Sequence, residues 1–253
     1  MNVNQAKQLL NGGDSWRGNC PDCGGHSTLS VSNVGGTIKW YCFRASCNTK
    51  GVETIRRTLD EIMKGPTDVS ARDFSVPAHF TAVTSNEEAR LYCAGGYFIS
   101  SEMRYDPRLH RAVFLVYRGG VVVDAIGKAL ASRRGSVPKW YRYGQSRLSY
   151  MSIGTPLYGT CMVVEDIPSA CVVRAAGYDS MALMSTHMSD LDIHDLMGYN
   201  RVIVALDPDA HSKGITMARR LSAYTDSRAI LIPDDLKYFT PKEVREILCM
   251  DSQ

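Results

Sequence analysis

The sequence predicts an α+β chain of several units, and three observations carry that expectation. Two close pairs of cysteines sit near the N-terminus, a basic stretch with β-like alternation fills the middle, and strands alternate with helices from about residue 159 onward. At 253 residues the chain can bury a substantial core and divide into small domains. A hydrophobic share of 44% and a charged share of 22% are those of a globular protein rather than a disordered one. No apolar run is long enough to span a bilayer, and the N-terminal MNVNQAKQLL lacks the form of a secretory signal. A cytoplasmic protein without a membrane partner is therefore expected.

Net charge is only +3, yet it is unevenly spread. Residues 1–103 balance ten Lys/Arg against ten Asp/Glu, residues 104–147 carry ten against two, and residues 148–253 carry nine against fourteen. A basic middle followed by an acidic end suits a polyanion track beside a carboxylate-rich site.

Of the eight cysteines, four form the pairs Cys20/Cys23 in CPDC and Cys42/Cys47 in CFRASC. Two close pairs on turns can bring four thiolates into the tetrahedron that zinc prefers, and disulfides do not fit a chain lacking a secretory signal. Gly24 and Gly25 follow the first pair, where a tight knuckle needs permissive backbone. STLSVSN and TIKWYCF alternate as strands with Gly35-Gly36 as their turn, so residues 1–55 read as a zinc ribbon. His26 is expected on its surface, and Cys93, Cys161, Cys171 and Cys249 as small buried residues. Trp40 and Arg44, with Lys39, Tyr41 and Phe43, have the chemistry to stack on bases and touch phosphates. Trp40 and Phe43 would equally serve as the ribbon's own core.

VETIRRTLDEIM, beginning at Val52, has helical periodicity, and residues 56–76 collect the Gly, Pro, Ser and Asp of a linker. In residues 77–158, Ser85 before NEEA reads as a helix cap, and AVFLVYRGGVVVDAIGKAL as a hairpin turning at Gly119-Gly120. ASRRGSVPKWYRYGQSR then interleaves Arg133, Arg134, Lys139, Arg142 and Arg147 with Trp140, Tyr141 and Tyr143, a combination suited to single-stranded nucleic acid or nucleotides. Gly127-Lys128-Ala129 is not a phosphate loop, because Val122 and Ala129 replace the glycine and hydroxyl such a loop requires.

In residues 159–253, CMVVE, SMALMST, RVIVALD and RAILIP read as strands separated by helices, the pattern of a parallel sheet whose functional groups gather beyond the strands' carboxyl ends. Glu165 and the pair Asp207/Asp209 stand at such ends. Asp207 and Asp209 project to the same side of an extended chain. Two carboxylates about 4 Å apart repel by roughly 1 kcal/mol in water and about 4 at a protein surface, a cost that a hard cation such as Mg²⁺ offsets. Capping of the following helix by Asp209 is the alternative, and it leaves Glu165 unexplained.

VVED with ALDPD downstream resembles the TOPRIM fold, in which a strand-end glutamate precedes an Asp-x-Asp. CPDCGGHSTLSV…WYCFRASCNTKG is similar to the zinc ribbon of DnaG-type and phage primases. RAVFLVYRGGVVVDAIGKAL…PKWYRYG…PLYGT resembles the basic subdomain that precedes TOPRIM in them. The resemblance implies a stand-alone DNA primase, of the phage type and without a helicase half. It would make short RNA primers from ribonucleoside triphosphates on a single-stranded DNA template, with a separately encoded replicative helicase as partner. It assigns Glu165, Asp207 and Asp209 to catalytic Mg²⁺ or Mn²⁺, Lys128 and Lys139 to nucleotide and template, and Cys20, Cys23, Cys42 and Cys47 to structural zinc. Asp166 stands where the family has glycine, Ser169 where an aspartate often follows, and Gly214 lies about two residues later than expected. The rival readings are a RecR-like, non-catalytic DNA-binding mediator and a TOPRIM nuclease.

Overall fold

The computed structural model describes residues 1–10, 15–34, 37–54, 74–144, 146, 148–153 and 159–250. The chain forms two compact units, one of Met1–Asp68 with His187–Asp195 and one of Val69–Thr186 with Leu196–Gln253.

In the first unit, helix α1 (Val3–Leu10) precedes strands β1 (Ser15–Gly18), β2 (Leu29–Val34), β3 (Thr37–Cys42) and β4 (Lys50–Thr54). The strands pair antiparallel in that order. Alternation along β3 sends Ile38, Trp40 and Cys42 inward and Lys39 and Tyr41 outward. Ala6 and Leu10 of α1 close the small core with Leu29 and Val31. Val52–Thr54, expected to open a helix, belong instead to β4, where pairing of Lys39 with Val52 overrides local periodicity. The rest of that predicted helix, the Gly35-Gly36 turn and most of the linker lie outside the described residues.

The second unit carries two sheets. The first is antiparallel and built from β5 (Thr81–Ala82), β6 (Met103–Asp106), β7 (Arg111–Arg118), β8 (Val121–Ala129) and β9 (Trp140–Arg142). The β7–β8 hairpin turns at Gly119 (φ 56°) and Gly120 (φ 79°), a left-handed pair that glycine adopts without strain. Helix α2 (Glu87–Ala94) is capped by Asn86, whose side chain accepts from the Ala89 amide. Ser85, the expected cap, closes the preceding 3₁₀ turn by donating to the Ala82 carbonyl.

The second sheet has the order β10-β12-β11-β13-β14, with β10 (Tyr150–Ser152) antiparallel at one edge and the rest parallel. Its parallel strands are β11 (Thr160–Val164), β12 (Asp179–Ala182), β13 (Arg201–Val204) and β14 (Asp226–Ala229). Of the helices, α3 (Ile167–Ala175) follows β11 and α5 (His211–Leu221) links β13 to β14, while α4 (Asp190–Leu196), which comes after β12 in the chain, belongs to the first unit up to Asp195. Helix α6 (Pro241–Met250) closes the chain behind a Thr240–Glu243 capping box. β11 and β12 are buried along their whole length, as parallel strands covered on both faces must be.

Candidate active site and metal centre

The four cysteines of the ribbon converge as their spacing requires. Their sulfurs all lie within 4.8 Å of one another, with Cys20–Cys47 and Cys23–Cys42 each at 3.8 Å. A tetrahedron of sulfurs around zinc at ~2.3 Å has edges of about 3.8 Å, so the set fits a structural zinc ion. Gly24 makes the first knuckle at φ 65°, its amide donating to the Cys20 carbonyl. Although burial opposes it, the knuckle amides of Cys23 and Asp22, with the Thr49 hydroxyl, bring the Cys20 thiol down to about 6. Against the Gly25 amide, burial and the neighbouring thiols push the Cys23 thiol up to about 11, so zinc binding there displaces a proton. His26 is exposed and Cys161 and Cys171 are buried, whereas Cys93, expected to be buried, is only partly so.

Trp40 lies in the ribbon core at 8% exposure, so it offers no face to a base. The open aromatic face belongs to Tyr41 (52% exposed) and Phe43 (57%), edge to face at 5.2 Å, with the Arg17 guanidinium over Phe43. Arg44 is exposed beside them, one nitrogen donating to the Cys23 carbonyl.

In the second unit, neighbouring strand ends bring the acids to one rim. Glu165 follows β11, Asp207 and Asp209 follow β13, and Asp235 lies beyond β14. Burial, reinforced by Asp235 and Glu165, pushes the Asp207 carboxyl up to about 7. Burial, then Asp209 and Asp166, likewise raises Glu165. In both, burial leads and the neighbouring acids add to it, while Lys237 acts the other way. The acids are less tightly grouped than the cysteines, which are the only such set within 4.8 Å among the described residues. Helix α5 has no side-chain cap, so Asp209 does not serve as the helix cap.

Lys237 was not visible from the sequence. It contacts the Asp235 carboxylate and lies 3.4 Å from Asp166. Against the cost of burial, the Asp235 hydrogen bond and the Asp166 charge hold its ammonium well above the usual lysine range. Asp166 and Ser169, the departures from the family pattern, form one device: Asp166 caps α3 by accepting from the Ser169 amide (3.1 Å) and hydroxyl (2.8 Å). Only a cation at the tip of the acidic run IPDDLK hinted at Lys237.

Beside this rim lies a cavity of about 730 Å³, lined among others by Lys128, Arg134, Lys139, Asp166 and Lys237. Lys128 is 9% exposed, and burial together with Lys139 and Arg134 lowers its ammonium to about 8. Its nitrogen lies 5.4 Å from the Trp140 ring centre, a cation–π contact that holds both. Arg133 is exposed on the adjoining turn. Arg142 is committed elsewhere, paired with buried Asp124 at 2.7 Å and donating to the Leu148 carbonyl. Two of its three nitrogens are thereby engaged inside the fold, although the sequence offers it as a nucleic-acid contact. Arg147 lies outside the described residues. Lys213 at the start of α5 donates to the Thr186 hydroxyl.

No protein-family model and no curated protein sequence matches the chain. Among solved structures, it is similar to the zinc-binding and RNA polymerase domains of the Aquifex aeolicus primase. The TM-score is 0.52 at 14% identity, over 98% of this chain and 82% of that one. It is also similar to the RNA polymerase domain of Mycobacterium tuberculosis primase DnaG, alone and in complex with double-stranded DNA. Each has a TM-score of 0.45 at 16% identity, over 66% of this chain and 63% and 61% of those. No helix among the described residues is long and apolar enough to cross a membrane. With four cysteines placed for zinc and strand-end acids on a largely parallel sheet, the chain has the fold of the zinc-binding and RNA polymerase domains of DnaG-type primases.

Proposed function

We propose that this protein is a DNA primase, joining ribonucleoside triphosphates into short RNA primers on a single-stranded DNA template. One observation carries the reading: Glu165, Asp207 and Asp209 follow adjacent strand ends, and Asp166 and Lys237, whose charges act on Glu165 and Asp207, line a cavity together with Lys128, Arg134 and Lys139. Carboxylates beside a cationic pocket are what phosphoryl transfer between nucleotides needs. The fold shared with the Aquifex aeolicus primase supports it.

The rim's donors are hard carboxylate oxygens from adjacent strand ends, a chemistry that fits Mg²⁺ or Mn²⁺ held by Glu165, Asp207 and Asp209. When bound, such a cation neutralises phosphate charge and lowers the pKa of a coordinated hydroxyl. Lys128, Arg134 and Lys139 bind and orient the triphosphate. Lys237 braces Asp166 and Asp235, which keeps part of the acid rim in position. On the ribbon, Tyr41, Phe43 and Arg44 offer a stacking and phosphate-binding face to the template.

Incorporation of labelled ribonucleotides on a single-stranded template with Mg²⁺ tests the proposal. The double substitution Asp207→Ala/Asp209→Ala should lower incorporation by at least about a hundredfold with the fold retained. Full activity in that variant would sink the assignment. Degradation of the template without ribonucleotide incorporation would instead reveal a nuclease.

A further inference from the structure

Two of the cations that line the cavity, Arg134 and Lys139, stand on the loop between the end of β8 and the start of β9. The base of that loop is closed by the Ala129 amide, which donates to the Lys139 carbonyl at 2.9 Å. Arg111, only 3% exposed, reinforces the base by donating to the Pro138 carbonyl at 2.9 Å. Farther out the loop makes a 3₁₀ turn, Ala131–Arg133, whose residues are all exposed. Among the described residues, no ion pair joins Arg134 or Lys139 to a carboxylate. The turn is nevertheless tied down, and from a distant element. Glu88, in the first turn of α2, accepts from the Ser132 amide at 2.8 Å and from the Ser132 hydroxyl at 2.7 Å.

Glu88 is itself held from behind. His110 Nε2 lies 2.8 Å from one of its oxygens, and the Tyr105 hydroxyl lies 2.6 Å from His110 Nδ1. A carboxylate only accepts, so Nε2 is the nitrogen that carries hydrogen toward Glu88. His110 stands at the β6–β7 turn with φ 53°, an uncommon backbone for a residue other than glycine. Against the cost of burial, the Ser132 hydroxyl, the His110 ring and the Ser132 amide bring the Glu88 carboxyl down to about 2. A chain of side chains rooted in the antiparallel sheet thus ends on one loop residue, two positions before Arg134. Cations on a loop bind phosphate best when their place is set beforehand, because ordering the loop on binding costs affinity. We propose that Glu88 is a positioning residue for phosphate binding: by holding Ser132 it sets the turn that presents Arg134 and Lys139 to the cavity. The inference rests on the reading of this cavity as the place where triphosphates bind.

Charge and position predict opposite signs here. A negative charge beside a cationic pocket repels anions, so if Glu88 acted only through its charge, Glu88→Ala would tighten anion binding. As a positioning residue, its loss frees the turn and weakens binding. The probe is inorganic tripolyphosphate, bound at equilibrium to the full chain in Mg²⁺-free buffer, and Arg134→Ala/Lys139→Ala supplies the loop's share of that binding. Glu88→Ala should weaken tripolyphosphate about five- to tenfold, the order of the lost hydrogen bonds. Glu88→Gln keeps the shape and an acceptor for the Ser132 amide, so it should stay within about twofold of wild type. Ser132→Ala lies on an exposed turn, where folding is not at stake, and should weaken binding about two- to threefold. Without tripolyphosphate, trypsin should cut after Arg133 or Arg134 faster in Glu88→Ala than in wild type. Binding that is unchanged or tighter in Glu88→Ala overturns the inference, as does Glu88→Gln no better than Glu88→Ala. So does an unaffected Ser132→Ala, or wild-type binding by Arg134→Ala/Lys139→Ala. If the losses appear but the wild type makes no primers, the positioning role stands and the primase reading falls. If primers form while Glu88→Ala binds tripolyphosphate normally, the positioning role alone falls.

Discussion

Asp207 and Lys128 show at the scale of single residues how burial shapes this site. Each is pushed toward its neutral form, Asp207 up to about 7 and Lys128 down to about 8. For Lys128 the consequences for binding and stability have opposite signs. Triphosphate binding uses the charged ammonium, so nucleotide affinity should weaken as pH rises from 7 to 9. Titrations at fixed ionic strength would show it, and Lys128→Ala should flatten that part of the profile. The folded pKa lies below the unfolded value of 10.5, so unfolding takes up a proton between about pH 8 and 10.5. Across that window this group makes the fold more stable as pH rises. Two glycines give a second contrast. A Cβ at Gly51 would stand 2.2 Å from the Trp40 ring, so Gly51→Ala should destabilise the ribbon by about 1–3 kcal/mol. At Gly214, buried in α5, a Cβ meets nothing closer than Val204 at 3.5 Å. Gly214→Ala should therefore stabilise by about 0.5–1 kcal/mol, and denaturant unfolding reads both changes.

At the scale of elements, strand order decides which residues share the rim. β11 lies between β12 and β13, and β13 beside β14, so the loops after β11, β13 and β14 open side by side. The antiparallel sheet depends on a buried acid of a different kind. Asp124 in β8 accepts from the amides of Ala125 and Gly144, the Ser146 hydroxyl and the Arg142 guanidinium, all within 2.7 Å. It ties the segment after β9 to the sheet. Asp124→Ala leaves Arg142 half-buried without its partner, a loss of about 3–5 kcal/mol. Thermal unfolding should show that loss, and a variant as stable as wild type would contradict the role given to Asp124. Much of this level was legible beforehand. The β7–β8 hairpin was visible because Gly119-Gly120 has one cheap use between two apolar runs, and the alternating strands and helices because buried parallel strands are continuously apolar. β4 was not, because its pairing with β3 is a contact that helical periodicity in Val52–Thr54 does not report.

For the whole molecule, the two units predict separate responses to metal removal. The ribbon's core is small and holds four cysteine sulfurs within 4.8 Å of one another. Structural zinc in comparable sites contributes about 10–16 kcal/mol, so a chelator should unfold the ribbon while the sheet of β10–β14 keeps its own transition. Circular dichroism with and without chelator checks this; an unchanged ribbon would remove zinc from its stability. The sequence by itself determined the four-cysteine centre, the strand-end carboxylates and the order of basic and acidic parts. Those follow from spacing, from side-chain period and from charge, which are properties of the chain read locally. Only the tertiary structure decided that Trp40 is core while Tyr41 and Phe43 face outward, and that Arg142 is spent on Asp124. It also brought Asp166 and Lys237 to the rim. Burial and pairing belong to residues far apart in sequence, and a non-consecutive strand order makes them neighbours that no local pattern records.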